Sequence, residues 1–302
     1  MCIRDRPLFN EIRHPNIVVT IKGTILATLG DKKLLARRSE DGGKTWGPEI
    51  IIAEPAFQGG GLIVDETNGN IIAFAEDRHP PAPLSVYRSK DDGKSWQKCE
   101  VKIYPDTRGN IPSMHMNENG ITLRHGKNAG RLIRAARHYG KANYPKEHWP
   151  PHYTTAIYSD DHGKTWTVGA ASPSGPYNEA TCVELLGGDV MLNMRSPGGR
   201  GERKPNRGSA VLTRGGSEFK DGTSRFISDL PCPSCQGGTT RFNDPKGTDP
   251  GIILFAGPGL STVRGRGTLF ASYDNGKTWP WKKLIYEGPY GYSDIAVLPN
   301  GK

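Results

Sequence analysis

Cysteine is scarce in this chain, and long apolar runs and blocks of like charge are missing. The five cysteines among 302 residues, Cys2, Cys99, Cys182, Cys232 and Cys235, are odd in number and widely scattered, which excludes a disulfide framework. Only Cys232 and Cys235 stand at metal-ligand spacing, and no second Cys or His pair follows, so they read as loop and core thiols and no metal is expected. No window approaches 18 consecutive apolar residues, which excludes a membrane-spanning helix. The opening MCIRDRPLFNEIRHP also lacks the apolar stretch of a secretory signal. Its first six residues match no structural element and read as an artefact of gene assembly, and residues 1–12 are expected to be irregular. Without a like-charged block or a nucleic-acid-reading motif, the excess of 40 Lys and Arg over 31 Asp and Glu, +9 net, reads as diffuse surface charge. An anionic partner fits that balance; nucleic acid is not expected.

Apolar residues are also few, at 35%, whereas 39 Gly and 24 Pro supply frequent chain breaks. Helices would be interrupted every few turns, so a helical bundle is excluded; many short strands joined by tight turns accommodate such a composition. A chain of this length can still bury a core.

What the sequence does contain is a repeat. SEDGGKTW at Ser39, SKDDGKSW at Ser89, SDDHGKTW at Ser159 and SYDNGKTW at Ser272 share the pattern S-x-D-x-G-x-[T/S]-W. Four matches to five specified positions are not chance. The pattern suits a hairpin tip: Asp accepts hydrogen bonds from backbone N–H groups two residues on, Gly supplies positive φ, and Trp anchors the returning strand. Asp41, Asp91, Asp161 and Asp274 are therefore structural acids. Each box follows a strand-like run such as TTAIYS or GTLFAS. The starts are 50, 70 and 113 residues apart, and SAVLTRGGSEF near the middle of the last interval looks like a box that has lost its Asp and Trp. Five units are visible, and a sixth opens with YSDIAVLPNGK. Such units fit the blades of a β-propeller. The expected fold is all-β, a six-bladed propeller over residues 13–302 with its last blade cut short, and long loops at 141–153 and 197–208.

Beyond the boxes, four stretches resemble the sialidase (neuraminidase) superfamily, whose catalytic domain is a six-bladed Asp-box propeller. RHPNIVVTIKGTILA is similar to the segment carrying the first of three arginines that clamp the substrate carboxylate, here Arg13. NEATCVELLGGDVMLNMRS is similar to the segment with the catalytic Glu and the second clamp, here Glu179 and Arg195. STVRGRGTLFASYDNGKTW resembles the stretch with the third, where Arg264 fits better than Arg266, and GPYGYSDIAVLPNG places the nucleophile at Tyr292. LPCPSCQGG is like a further family loop. The resemblance implies a retaining exo-sialidase releasing a terminal acidic sugar from glycoconjugates, without metal or cofactor, in a secreted or periplasmic setting. Its chemistry has a physical rationale. Converging arginines give charge-assisted, bidentate bonds to a carboxylate. A tyrosine is a poor nucleophile until a base such as Glu179 takes its proton. A neutral oxygen also avoids repulsion from the sugar's own carboxylate, and sialidases are an established exception to the two-carboxylate glycosidases.

The resemblance is weakest at the leaving-group acid. The strand end ATLGDKKLLARRS offers only Asp31. FAEDRHPP, with Glu76, Asp77 and Arg78, comes one blade later, and His115 and His125 are supplementary candidates. Glu184, in VELL, competes with Glu179 as the acid, or is simply a strand residue. Two alternatives stay open: the same scaffold acting on another acidic sugar, such as a uronate polysaccharide, and a noncatalytic glycan-binding propeller.

Overall fold

The computed structural model describes residues 7–10, 14–115, 119–139, 152–169, 177–196, 206–231, 233–244, 246–299 and 301. Its strands form five sheets in chain order. Blade 1 holds β1 (Pro15–Val19), β2 (Ile25–Gly30), β3 (Leu34–Ser39) and β4 (Ile50–Ala53). Blade 2 holds β5 (Leu62–Val64), β6 (Ile71–Glu76), β7 (Leu84–Ser89) and β8 (Gln97–Cys99). Blade 3 combines β9 (Lys102–Ile103), β10 (Pro112–Ser113), β11 (Ile121–Thr122), β12 (Leu132–Tyr139), β13 (His152–Ser159) and β14 (Thr165–Val168). Blade 4 holds β15 (Ala180–Glu184), β16 (Val190–Met194), β17 (Asn206–Thr213), β18 (Glu218–Phe219) and β19 (Arg225–Pro231). Blade 5 holds β20 (Gly238–Asn243), β21 (Ile252–Pro258), β22 (Gly265–Ser272) and β23 (Trp281–Pro289). All pairings are antiparallel except β9 with β14.

The second strands, β2, β6 and β16, are buried at every position. Each lies inside its blade with another blade on either face, so it reads as an apolar run rather than an alternation. Four cores follow, each shared by neighbouring blades: Leu26 with Ile71, Phe74 with Trp166, Ile133 with Leu192, and Met191 with Phe255.

The four boxes are hairpin tips, with one change from expectation. In the third, Asp161 accepts from the N–H of Thr165, four residues on, at 2.9 Å and from that of Lys164, three on, at 3.1 Å, instead of two on. It also accepts from the hydroxyls of Thr165 (2.7 Å) and Ser159 (2.8 Å), and the same Ser159 oxygen takes the Gly163 N–H at 2.8 Å. Burial opposes ionisation of Asp161, but the bonds from Thr165, Ser159 and Lys164 outweigh it and hold the carboxyl below its usual range. Gly163 has φ of 78°, and a Cβ there would lie 2.4 Å from Ile72 of the preceding blade. The box therefore also seats one blade on the next. Asp161→Ala should lower stability by about 1–2 kcal/mol in urea titrations. Activity per folded molecule should be unchanged, because the box projects from the mouth opposite the candidate site.

Six blades were expected, and the described chain has five. YSDIAVLP after β23 forms no strand, because no further strand among the described residues pairs with it. The segment is nevertheless placed. The Asp294 carboxylate accepts the N–H of Ile17 in β1 at 2.8 Å, and a Cβ on Gly238 of β20 would meet the Asp294 Cα at 2.7 Å. Residues 294–299 thus sit between blades 5 and 1, and with the innermost strands of the blades they line an axial cavity of about 600 Å³. Among the described residues no helix is long and apolar enough to cross a membrane.

Candidate active site

Because the innermost strands run the same way along the axis, the residues just before them meet at one mouth. Asn178 and Glu179 precede β15, His14 precedes β1, and Tyr292 precedes the 294–299 segment. The second strand of each blade returns to this mouth and delivers the residues at its C-terminal end. Arg195 follows β16 and donates its N–H to the Glu179 carbonyl at 2.8 Å, making the two cross-strand neighbours. Arg264 precedes β22.

Their side chains form one cluster. The Tyr292 hydroxyl donates to Glu179 Oε1 at 2.8 Å. Arg195 Nη1 donates to the same oxygen at 2.5 Å and to the Tyr292 oxygen at 3.3 Å. Arg264 lies over the Tyr292 ring, 5.2 Å from its centroid, with Nη2 donating to the Ser234 carbonyl at 2.6 Å. His14 meets the Tyr292 ring edge-on at 4.8 Å. Glu179 is fully buried, and its Oε2 has no hydrogen-bond partner. Burial first, and then the Glu179 charge, push the Tyr292 phenol well above its ordinary range, against the pull of Arg195 and Arg264. The phenol is therefore neutral at rest, with a base already accepting its hydrogen bond. That is the relation an activated oxygen nucleophile requires.

Of the sequence candidates, Glu179, Arg195, Arg264 and Tyr292 come together. Arg13 lies outside the described residues, as do Cys2 and Cys232. Arg266 points elsewhere, toward Glu287 at 3.5 Å. Asp31 occupies the short turn between β2 and β3, where its carbonyl accepts the Gln58 N–H at 2.8 Å. Its carboxylate makes no hydrogen bond to the cluster among the described residues. Glu184 and His125 belong to the far mouth: Glu184 ends β15, some 16 Å along the strand from Glu179 at roughly 3.3 Å per residue, and accepts the N–H groups of Arg124 (2.7 Å) and His125 (2.9 Å). Asp77 and Arg78 pair with each other on the surface at 2.8 Å.

Three groups were missed or underweighted in the sequence. His115 does sit at the site mouth, bonded through Nδ1 to the Tyr139 hydroxyl (2.7 Å) and through Nε2 to Gln58 Oε1 (3.0 Å). Because an amide oxygen only accepts, Nε2 carries the proton and Nδ1 takes that of Tyr139. Glu76 is buried beneath it; burial pushes its carboxyl up to about 7, against bonds from Ser113 and the Met114 N–H and the nearby Arg134 charge. Arg137, near the end of β12, has its guanidinium 4.7 Å from the Tyr139 ring centroid and within electrostatic reach of Glu179, Arg195 and Tyr292. In LIRAARHY it reads as one more residue of a strand; only the strand's length, invisible locally, brings it to the mouth.

Fold and site together define an Asp-box β-propeller with an arginine-lined basin. Residues 157–168 match the BNR/Asp-box repeat family. The chain is similar to the sialidase of Micromonospora viridifaciens, 31% identical over 339 residues, covering 100% of this chain and 50% of that protein. It is also similar to a sialidase of Bacteroides fragilis strain YCH46, 24% identical over 95% of this chain and 58% of that one. The chain thus spans between half and three fifths of the length of these relatives. Among solved structures, the Hadza microbial sialidase Hz136 superposes with a TM-score of 0.75 at 25% identity, covering 94% of this chain and 61% of the other. The intramolecular trans-sialidase of Ruminococcus gnavus shares the fold, with a TM-score of 0.73 at 16% identity over 97% of this chain and 88% of that one. The chain is a sialidase-like Asp-box propeller.

Proposed function

We propose that the protein is a retaining glycoside hydrolase that releases terminal sialic acid from glycoconjugates. The observation that carries this reading is the Tyr292 hydroxyl donating to a buried carboxylate, Glu179, which Arg195 bonds at the same oxygen. The similarity to sialidases supports the substrate class. The tyrosine oxygen attacks the anomeric carbon while Glu179 takes its proton, and the bond to the leaving oxygen breaks. Water then attacks the glycosyl-tyrosine, and the proton returns from Glu179 to the phenolate. Arg195 and Arg264, with Arg13, hold the sugar carboxylate. Asp31 serves as leaving-group acid and later activates the water, supported by its place at the same mouth, half-buried beside Gln58.

The purified protein is expected to liberate the fluorophore from a 4-methylumbelliferyl sialoside, with the α-anomer appearing first by NMR. Release from a uronide but not from the sialoside would replace the sugar, and initial β-anomer would exclude retention.

A further inference from the structure

Arg137 is 5% exposed, yet no carboxylate, carbonyl or hydroxyl among the described residues accepts a hydrogen bond from its guanidinium, and Nε is buried with no partner at all. Among the described residues its one ring contact is with the face of Tyr139. Buried arginines elsewhere in the fold are used differently: Arg134 donates to the Gly60 and Gly61 carbonyls, and Arg207 to the Cys235 carbonyl. The carboxylate that Arg137 senses, Glu179, is already bonded to Arg195 and Tyr292, and Arg195 repels it. A buried cation left without an acceptor is costly and persists where something outside the chain completes it.

We propose that Arg137 is a substrate-binding residue, a preformed site on blade 3 for an oxyanion of the glycan. The proposal rests on the reading above for the sugar but not for the anion. The geometry accounts for the choice of group. The guanidinium lies 4.7 Å from the Tyr139 ring centroid, and its planar fork of N–H donors suits a carboxylate or sulfate better than a lone hydroxyl. Among the described residues, the one carboxylate whose charge acts on Arg137 is Glu179, and it is already bonded to Arg195 and Tyr292, so an anionic ligand adds the counter-charge Arg137 lacks. The oxyanion comes either from the sugar's own carboxylate or from a second charged substituent on the glycan.

The test compares the parent with Arg137→Met and Arg137→Lys. Removing an unpaired buried cation should raise the Tm of the free protein by a few degrees, whereas removing a merely structural arginine would lower it. Inorganic sulfate should stabilise the parent and do so much less in Arg137→Met, with Arg137→Lys between them. On the sialoside, Arg137→Met should raise KM at least about tenfold with a smaller change in kcat. A rise seen with the plain sialoside assigns Arg137 to the sugar carboxylate, and one confined to a sulfated glycan assigns it to the second substituent. Equal sulfate stabilisation of parent and Arg137→Met, or an unchanged KM on both substrates, overturns the proposal. Loss of the sulfate effect in a protein that hydrolyses no sialoside leaves the oxyanion site standing and refutes the sialidase reading instead. Should Arg137→Met fail to fold, Arg137→Gln, which drops the charge and keeps the bulk, is read the same way.

Discussion

Tyr292→Phe is expected to lower turnover of the sialoside by about 10³-fold or more while leaving ligand affinity within a few fold. The substitution removes one oxygen, the atom that attacks, and leaves the ring that Arg264 and His14 pack against. A binding-only propeller would show no turnover in either protein. A Tyr292→Phe enzyme as fast as the parent would move the nucleophile elsewhere. Glu179 has a second duty that this substitution spares: it bonds Arg195. Tyr292→Phe therefore isolates chemistry from electrostatics more cleanly than any change at Glu179, which would leave an arginine short of its counter-charge.

Glu76→Gln is expected to produce the largest change in stability, and one that depends on pH. The folded carboxyl is raised from 4.5 to about 7, chiefly by burial. Below 4.5 both folded and unfolded chains hold the proton and the site costs nothing. Between 4.5 and 7 the unfolded chain releases its proton while the folded one retains it, so stability falls as pH rises; above about 7 the loss is complete and constant. A shift of this size corresponds to roughly 3 kcal/mol. The glutamine variant has no proton to lose. In urea titrations at about pH 5 and about pH 8 it should lack that part of the slope and exceed the parent at the higher pH. Parallel slopes for the two proteins would show that Glu76 does not titrate in this window.

The boxes were legible because everything they need lies within seven residues: a serine, an aspartate, a positive-φ glycine and a threonine bonded to one another. Even so, the hydrogen-bond partners were misplaced by one or two residues, since a turn's depth is a three-dimensional property. Glu179, Arg195 and Tyr292 were legible from the residues around them. The sorting of acids by mouth was not. Glu179 and Glu184 look equivalent in NEATCVELL, and only the length of β15 sends one to the basin and the other to cap the Arg124–His125 backbone. The same holds for His115 and His125, which lie on either side of β11. The sixth blade failed for a different reason. YSDIAVLP has strand composition, but a strand is a pairing and not a property of one segment, and no strand among the described residues pairs with it.

The bond from the Ile17 N–H to the Asp294 carboxylate joins groups 277 residues apart. Tyr292 stands two residues before that carboxylate, so its hydroxyl takes its place only when this long loop has closed. Loop closure of this span is slow because its entropy is lost before the contact is gained. Every blade can assemble from neighbouring segments earlier than this. A folding chain with five complete blades and this one contact open would hold Glu179 and Arg195 paired across β15 and β16, a base and a cation in position with no hydroxyl between them.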